Sequence, residues 1–232
     1  TLYYMRRYVR FLQQLMAEDG RTIELSAEVS QWLDETAAAL SNVRPLLGKD
    51  PINAAQRYES LVALGQAASR YRALVYKQES FSGKLTHQPD RVMSMLDDAL
   101  AAIDHSIGTN KRTDGMYHAY NLLDAQKDAV AYHHLYAMLE GQVAVLSAGA
   151  ITADEAAEVV EALFESDVYR PDQQSFMLYP ARELPTFFEK NRIPADQVAA
   201  IPLLQEMLAD GDDRIVVRDA DGRYRFNADL TN

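Results

Sequence analysis

The chain has 232 residues, which is enough for one large domain or two small ones with a sizeable core. Its formal net charge is −11 and its basic residues are scattered, so the sequence excludes specific nucleic-acid binding, which needs a basic surface. Cysteine is absent, and this excludes disulfide bonds and thiolate metal sites.

The sequence shows no sign of a membrane segment. Its longest stretch without a charged residue, Gly141 to Ala153, is far shorter than a membrane-spanning helix. The N-terminus lacks the basic segment followed by an apolar one that a secretion signal would have. These features favour a soluble, cytoplasmic protein, although they do not decide the compartment. Because the chain opens on Thr1 inside an amphipathic pattern, we expect a fragment of a longer protein.

The first predicted helix covers Leu2 to Glu18. Apolar residues at three- and four-residue spacing predict one buried stripe, made of Tyr4, Tyr8, Phe11, Leu12 and Leu15. The three arginines of this segment would then cover the opposite, solvated side, and they are Arg6, Arg7 and Arg10. Asp19 and Gly20 predict the end of the helix, because glycine readily adopts the left-handed cap.

Three further helices are predicted before Gly108. They run from Ser26 to about Leu47, from Asp50 and Pro51 to about Gln78, and from Asp90 to Ile107. Ser26 is expected to cap the first of them through its hydroxyl. The polar, proline-containing residues 80–89 predict a loop.

The segment Thr113–Gln142 is unusually dense in ring-bearing side chains. It holds three of the five histidines and four of the thirteen tyrosines. The helical pattern resumes after Tyr117 and predicts a long helix, broken near Asp124, that runs to about Leu146.

Within this predicted helix, Tyr132, Tyr136 and Glu140 follow one another at four-residue spacing and would line one face. Gly141 comes next, and its missing side chain would let another backbone approach closely. The pattern therefore favours a site or a tight packing contact here.

Only the C-terminal part carries a clear strand signal. Residues alternate on both sides of a turn that contains Asp221 and Gly222, which predicts a β-hairpin at about 214–227. The fold class that follows is mainly α. We expect a single helical domain over residues 1–232, arranged as an antiparallel helical bundle or a partial α/α toroid, with one C-terminal β-hairpin.

No metal site and no cofactor is predicted. His133 and His134 are adjacent, whereas two ligands on one helix need three- or four-residue spacing. His118 or Asp114 could add a ligand across the fold but would not repair that spacing. A glycine-rich phosphate loop and a GxSxG nucleophile elbow are both absent from the sequence.

Groups for glycoside chemistry are present, but without a spacing that defines a role. Cleavage of a glycosidic bond needs a proton-donating carboxylic acid, and hydrolysis by the common routes needs a second carboxylate. The candidate carboxylates are Asp114, Glu140, Glu183 and Glu189, and the candidate phosphate-holding cations are Arg182, Lys190 and Arg192. The alternative for each is an ordinary solvated or ion-paired side chain. The catalytic residues therefore stay unassigned.

Three segments resemble a region of very large bacterial cellobiose-phosphorylase-like proteins. They are TDGMYHAYNLL (113–123), YAMLEGQVAVLSAG (136–149) and SFMLYPARELPTFFEKNRIP (175–194). The similarity covers roughly residues 110–195. It implies a mostly helical fragment, with an α/α-toroid core in the parent protein, from a carbohydrate-active protein. If that parent is an enzyme, the resemblance implies a glycoside phosphorylase or hydrolase that acts on β-glucosides. No catalytic residue is carried over.

Two functions remain open. In the first, the chain is a helical region of a large carbohydrate-active protein, inactive alone and joined to the remainder of a larger chain, and it lines an oligosaccharide subsite. Rings suit the apolar faces of sugars, and amide and carboxylate groups suit their hydroxyls. The predicted subsite residues are Tyr117, His118, Tyr120, Asn121, Tyr136 and Glu140. In the second, the chain is a non-catalytic structural or protein-interaction module, and these aromatics pack helix against helix.

Overall fold

The computed structural model describes residues 1–48, 51–78 and 80–230, and these residues are mainly helical, as predicted. The helices are α1 (Leu2–Asp19), α2 (Ala27–Val43), α3 (Ala54–Lys77), α4 (Pro89–Thr109), α5 (Leu139–Ala148), α6 (Ala153–Glu165), α7 (Phe187–Lys190), α8 (Ala195–Ala199) and α9 (Pro202–Ala209), with a 3-10 turn at Arg44–Leu46. Among the described residues, no helix is both long enough and apolar enough to cross a bilayer.

The described strands form antiparallel sheets of two strands each. They are β1 (Ile23–Ser26) with β2 (Lys84–His87), β3 (Asn121–Gln126) with β4 (Ala129–His134), β5 (Tyr169–Arg170) with β6 (Ser175–Phe176), and β7 (Val216–Arg218) with β8 (Tyr224–Phe226). The chain divides into two compact units, Thr1–Ala181 and Arg182–Asn232. The single domain over residues 1–232 stays a prediction beside this division.

The second unit contains the C-terminal hairpin, which confirms the strand prediction for residues 214–227. The carboxylate of Asp219 organises its turn by accepting the backbone N–H groups of Asp221 (3.0 Å) and Arg223 (2.8 Å) and the side chain of Arg225 (2.6 Å). Gly222 has φ of +76°, a left-handed conformation that favours glycine. The Asp-Gly turn signal in the sequence was therefore sufficient here.

The core of the first unit lies between α1, α4, α5 and α6. Its buried members are Tyr3, Val9, Leu96, Leu100, Ile103, Ile107, Tyr117, Ala144, Val145, Ala148 and Val159. Val145 and Val159 are fully buried. Burying a valine or isoleucine side chain stabilises a fold by about 1.5–3 kcal/mol, so the burial of this cluster contributes strongly to holding the four helices together.

The face of α1 that contacts the core is opposite to the face that the sequence predicted. Arg6 is buried and donates to the carboxylate of Asp104 (2.6 Å) and to the carbonyl of Gly149 (2.7 Å), while Gln13 donates to Asp97 (2.6 Å). These charge-assisted and amide bonds satisfy polar groups inside the packed interface, so polar residues can occupy the inner face. The aromatic stripe that the sequence predicted to be buried is exposed at Tyr4, Tyr8, Phe11 and Leu15.

The third helix begins later than predicted. The side chain of Asn53 accepts the N–H of Gln56 (2.9 Å), and the side chain of Gln56 accepts the N–H of Asn53 (3.0 Å). This reciprocal capping starts α3 at Ala54, and Pro51 precedes the helix. The predicted cap, Asp50, lies outside the described residues.

The loop predicted at residues 80–89 contains strand β2, which pairs with β1 just before α2. Both strands have only four residues, too few to stand out from their polar surroundings in the sequence. At the end of β1, the Ser26 hydroxyl accepts the N–H of Val29 (3.3 Å), which confirms the predicted cap of α2.

The prediction of a long helix from Tyr117 to about Leu146 is wrong. Strands β3 and β4 occupy its first half, with Asn121 opposite His134 and Gln126 opposite Ala129. Only the last part is helical, as α5. Tyr132 lies in β4, Tyr136 lies between β4 and α5, and Glu140 lies in the first turn of α5. The predicted common helix face of these three residues therefore does not exist.

Gly141 provides the close backbone approach that the sequence predicted. It lies in the first turn of α5, and a Cβ atom added there would lie 2.9 Å from the Cβ of Ala119 and 3.3 Å from the carbonyl oxygen of Tyr117. The first turn of α5 can therefore pack directly on the segment that leads into β3.

We predict that Gly141→Ala destabilises the protein by about 1–3 kcal/mol, because the added methyl group overpacks this contact. The matched control is Gly65→Ala in the interior of α3, where a Cβ would meet nothing within 4 Å. The control should be neutral or stabilising by up to about 1 kcal/mol, since alanine favours helix. Urea unfolding of the three proteins measures both changes. Equal stability of Gly141→Ala and wild type would contradict the packing described.

Candidate functional site

A cavity of about 530 Å³ lies between the C-terminal end of α4, the β3–β4 hairpin and the chain that enters α3. We call it the hairpin cavity. Its polar wall is formed by Asn110, Asn121, Tyr132 and His134, with Arg57 and His105 nearby. This volume lies in the range of small-molecule sites, about 300–1,000 Å³.

A row of hydrogen bonds orients the amide groups along this wall. Asn121 donates its Nδ2 to the Oδ1 of Asn110 (3.1 Å), and Asn110 donates its own Nδ2 to the carbonyl of Ser106 (2.6 Å). The Nδ1 of His134 lies 2.7 Å from the Oδ1 of Asn121. An amide oxygen only accepts, so Nδ1 of His134 carries the proton and its Nε2 is the acceptor of the neutral ring.

The ring of Tyr132 forms the aromatic part of the wall and is held from two sides. The guanidinium carbon of Arg57 lies 5.0 Å from the ring centroid, in cation–π contact. Arg57 is itself held, because its Nε donates to the carbonyl of Val130 (2.8 Å) and its Nη1 to the carbonyl of Ile52. On the other side, the His134 ring meets Tyr132 edge to face at 5.2 Å.

Behind His134, the ring of His118 stacks in parallel, with centroids 3.7 Å apart and an interplanar angle of 3°. The backbone of His118 is anchored, since its N–H donates to the carbonyl of Asn110 (2.9 Å) and its carbonyl accepts the hydroxyl of Tyr3 (3.1 Å). Burial raises the pKa of Tyr3 to about 12, so this donor keeps its proton. Tyr3 thereby ties α1 to the back of the site.

The ring of His118 is held in its neutral form. Its Nδ1 is buried and has no hydrogen-bond partner among the described residues. Burial lowers the pKa of His118 below its usual range, His134 and Arg112 lower it further, and only the carbonyl of Leu135 and the carboxylate of Asp114 oppose this. A charged His118 would place a proton on this buried Nδ1, where no acceptor could receive it.

Gln142, which the sequence analysis did not single out, positions the segment that carries His118. Its side chain is fully buried. The Oε1 accepts the N–H of Tyr117 (2.8 Å), while Nε2 donates to the carbonyls of Tyr117 (2.8 Å) and Met138 (3.0 Å). The signal available in the sequence was a glutamine among apolar residues of a helix, at a position that helical periodicity places in the core.

Of the six predicted subsite residues, the structure brings Asn121 and His118 together at the hairpin cavity. Asn121 lines the cavity, and His118 supports the wall through its stack on His134. Tyr117 lies close in sequence but is only 2% exposed, in the hydrophobic core. It contributes packing and a backbone anchor and does not line the cavity.

The other three predicted residues lie elsewhere in the first unit. The hydroxyl of Tyr120 donates to Glu140 (2.9 Å), and both side chains are exposed. This hydrogen bond raises the pKa of Tyr120. Tyr136 lines a second cavity and meets the ring of Tyr179 edge to face at 6.4 Å.

The second cavity measures about 410 Å³, and its wall carries Arg112, Asp114, Tyr136, Glu165 and Asp167. Arg112 forms a two-pronged ion pair with Asp114, with contacts of 2.7 and 3.0 Å. This pairing lowers the pKa of Asp114, so its carboxylate is ionised at neutral pH. Asp114 is therefore engaged with a cation and is not poised to donate a proton.

Two of the other candidate carboxylates also have local partners. Glu140 accepts the Tyr120 hydroxyl, and Glu189 caps α7 by accepting the N–H of Thr186 (2.7 Å). Within residues 1–48, 51–78 and 80–230, no three histidine, aspartate or glutamate side chains are grouped so that they could hold a metal ion. His133 and His134 are neighbours on β4 and point to opposite faces.

The cavity residues that the predicted subsite did not include share one cause. Tyr132 and His134 belong to the same face of β4, two residues apart, and they meet Asn110 only because β3 and β4 fold back onto the end of α4. Residues 129–134 read AVAYHH and lack the alternation of apolar and polar residues that indicates a strand, so the sequence pattern did not separate β4 from a helix.

A family model described as GH149 phosphorylase insertion domain 2 matches residues 184–232. These 49 of 232 residues lie in the second unit. The match confirms the resemblance to a region of a phosphorylase-like protein, and it overlaps the three resembling segments only at residues 184–194. No curated protein gives a significant match to the sequence.

We predict that acid weakens the fold through His118. Its pKa in the folded protein is lower than in the unfolded chain, where it is about 6.5. The unfolded state therefore takes up this proton first, so the stability is fully present above about pH 6.5 and is lost as the pH falls below that value. The melting temperature of wild type should fall more between about pH 7.5 and pH 5 than that of His118→Phe, which keeps a ring against His134.

The control for this comparison is His133→Phe, which replaces an exposed histidine on the other face of β4. It should retain the acid sensitivity of wild type. If His118→Phe were as acid-sensitive as wild type, protonation of His118 would not be the cause.

Proposed function

We propose that this chain is a non-catalytic region of a large glycoside phosphorylase-like protein and that its hairpin cavity binds a β-linked gluco-oligosaccharide. One observation carries the proposal: an exposed tyrosine ring, Tyr132, stands beside an ordered row of amide and imidazole groups, Asn110, Asn121 and His134, in a cavity of suitable size. The match of residues 184–232 to a phosphorylase insertion domain supports the carbohydrate context.

The chemistry of this wall suits a sugar ring. The apolar face of a pyranose can stack on Tyr132, which is 37% exposed and is held in place by Arg57 and His134. Sugar hydroxyls both donate and accept, and the wall offers amide N–H donors, amide carbonyl oxygens and the Nε2 acceptor of His134. Because these groups are already ordered by their own hydrogen bonds, little further ordering is needed on binding.

The same wall lacks the groups that would cleave the sugar. Among the described residues, no aspartate or glutamate lines the hairpin cavity. Glycosidic cleavage needs a carboxylic acid beside the scissile oxygen. Binding without cleavage is therefore the role that this geometry supports, and catalysis would belong to the remainder of a larger chain.

We expect cellotetraose to bind to the chain and Tyr132→Ala to weaken binding by about 2- to 12-fold. The reason is the loss of ring stacking worth about 0.5–1.5 kcal/mol. Tyr132→Phe should bind like wild type, since it keeps the ring. Isothermal titration calorimetry measures the dissociation constants, and maltotetraose, the α-linked isomer, tests the preference for the linkage.

The matched control is Tyr76→Ala, which removes an exposed tyrosine near the end of α3, about 28 Å along the helix from Arg57. It should leave binding unchanged. The proposal is abandoned if cellotetraose does not bind, or if Tyr76→Ala and Tyr132→Ala weaken binding equally.

We also expect the isolated chain to show no turnover on β-glucosides, because none of the described residues that line the hairpin cavity is an acid that could protonate a leaving group. Release of glucose 1-phosphate from cellobiose and inorganic phosphate, and of glucose in water alone, measures the two reactions. A rate above background that Glu140→Gln abolishes would show that catalysis resides in this chain.

A further inference from the structure

The exposed face of α1 carries an apolar stripe, which we call the outer stripe, formed by Tyr4, Tyr8, Phe11 and Leu15. Each of these side chains is about half exposed, between 48% and 61%. At 100° per residue, the four lie within about 60° of one another, and they extend along the helix for about 16 Å. A contiguous aromatic stripe of this kind is uncommon on a solvated surface and marks an interaction site.

The outer stripe cannot turn inward. The residues that face the core, Tyr3, Arg6, Val9 and Gln13, lie on the opposite side of the helix. Arg6 and Gln13 are held there by Asp104 and Asp97 of α4 at 2.6 Å each. Rotating α1 to bury the stripe would leave these polar groups without their partners, at a cost of about 1–3 kcal/mol for each neutral group and more for charged ones.

The spacing of the outer stripe indicates what kind of surface it fits. The four residues follow one another at intervals of four, three and four, which is the spacing of the seam positions in a coiled coil. Such a seam is completed when knobs from a second helix enter the holes between its side chains. In this register, Arg7 occupies a position that flanks the seam and faces the partner helix.

The charge of α1 identifies the chemistry of that second helix. The chain has a net charge of −11, yet its first seventeen residues contain three arginines and no acidic residue. Arg6 is paired with Asp104 inside the fold, whereas Arg7 and Arg10 are exposed and have no ion pair among the described residues. Arg7 lies about 70° around the helix from the centre of the stripe, whereas Arg10 lies about 130° from it. A partner helix with carboxylates beside its seam would therefore complement Arg7.

We propose that the outer stripe of α1 docks an amphipathic helix of a partner protein, with an apolar seam flanked by glutamate or aspartate. A second copy of α1 is a poor occupant. In a pair of α1 helices, Arg7 of each copy would lie beside the flank of the other without a carboxylate to pair with, because α1 has no acidic residue before Glu18. The partner helix therefore differs from α1 in charge.

Two synthetic peptides of about three heptads test the proposal, both with leucine at the seam. One carries glutamate at every flanking position and the other carries lysine. Fluorescence anisotropy with the full chain should show at least about tenfold tighter binding of the glutamate peptide at low salt, with a smaller difference in about 1 M salt. Arg7→Glu, an exposed substitution, should abolish or invert the preference.

The combined change Tyr8→Ser and Phe11→Ser should weaken binding of the glutamate peptide by at least about tenfold, since aromatic side chains supply most of the binding energy at such interfaces. Tyr76→Ser is the control, because it removes an equally exposed tyrosine from α3. Circular dichroism and melting temperature verify that the variants are folded. If the double variant is not folded, the charge preference of the wild-type chain and its inversion by Arg7→Glu test the proposal without it.

Four outcomes would overturn the proposal. The first is that neither peptide binds, and the second is that both bind equally at low salt. The third is a dimer in sedimentation experiments that the double variant converts to monomer, which would assign the stripe to a second copy of the chain. The fourth is binding to phosphatidylcholine–phosphatidylglycerol vesicles in place of the peptide.

Discussion

The hairpin cavity depends on the buried amide of Gln142. Its three hydrogen bonds hold both backbone groups of Tyr117, a residue outside any helix or strand, against the start of α5. In a dry interior, each unsatisfied amide group would cost about 1–3 kcal/mol, so the glutamine and the Tyr117 backbone stabilise each other strongly. Because His118 and strand β3 follow directly, this contact also sets where the cavity wall begins.

The mainly helical fold class, the C-terminal turn and the Ser26 cap could be predicted because each depends on residues that are close together in the sequence. The Asp-Gly turn of the C-terminal hairpin and the Ser26 cap are decided within a few positions. The face of α1 could not be predicted from its own sequence. Arg6 and Gln13 become acceptable inner residues only because Asp104 and Asp97, 98 and 84 residues away in the chain, supply their partners. Periodicity alone ranks such residues as solvent-facing.

The candidate site was less predictable than the fold. Asn121 was named as a subsite residue because an amide beside aromatic rings suits the hydroxyls of a sugar, and the structure places Asn121 in the cavity wall. The wall itself is assembled from three separate parts of the chain, and its members Asn110 and Tyr132 meet only after the β3–β4 hairpin has formed. The strands after Tyr117 lack a regular alternation of apolar and polar residues, and an interpretation with the period of a helix moves every side chain to another face.

The anchoring of α1 also has a consequence for synthesis on the ribosome. Arg6 is bound to the carbonyl oxygens of Ala148 and Gly149, and Tyr3 to that of His118. Helix α1 therefore completes its packing only after Gly149, 143 residues further along the chain than Arg6, has emerged. At about 5–20 residues per second, this delay is on the order of 10 s. During that time, α1 presents apolar side chains on both of its faces to the solvent or to chaperones.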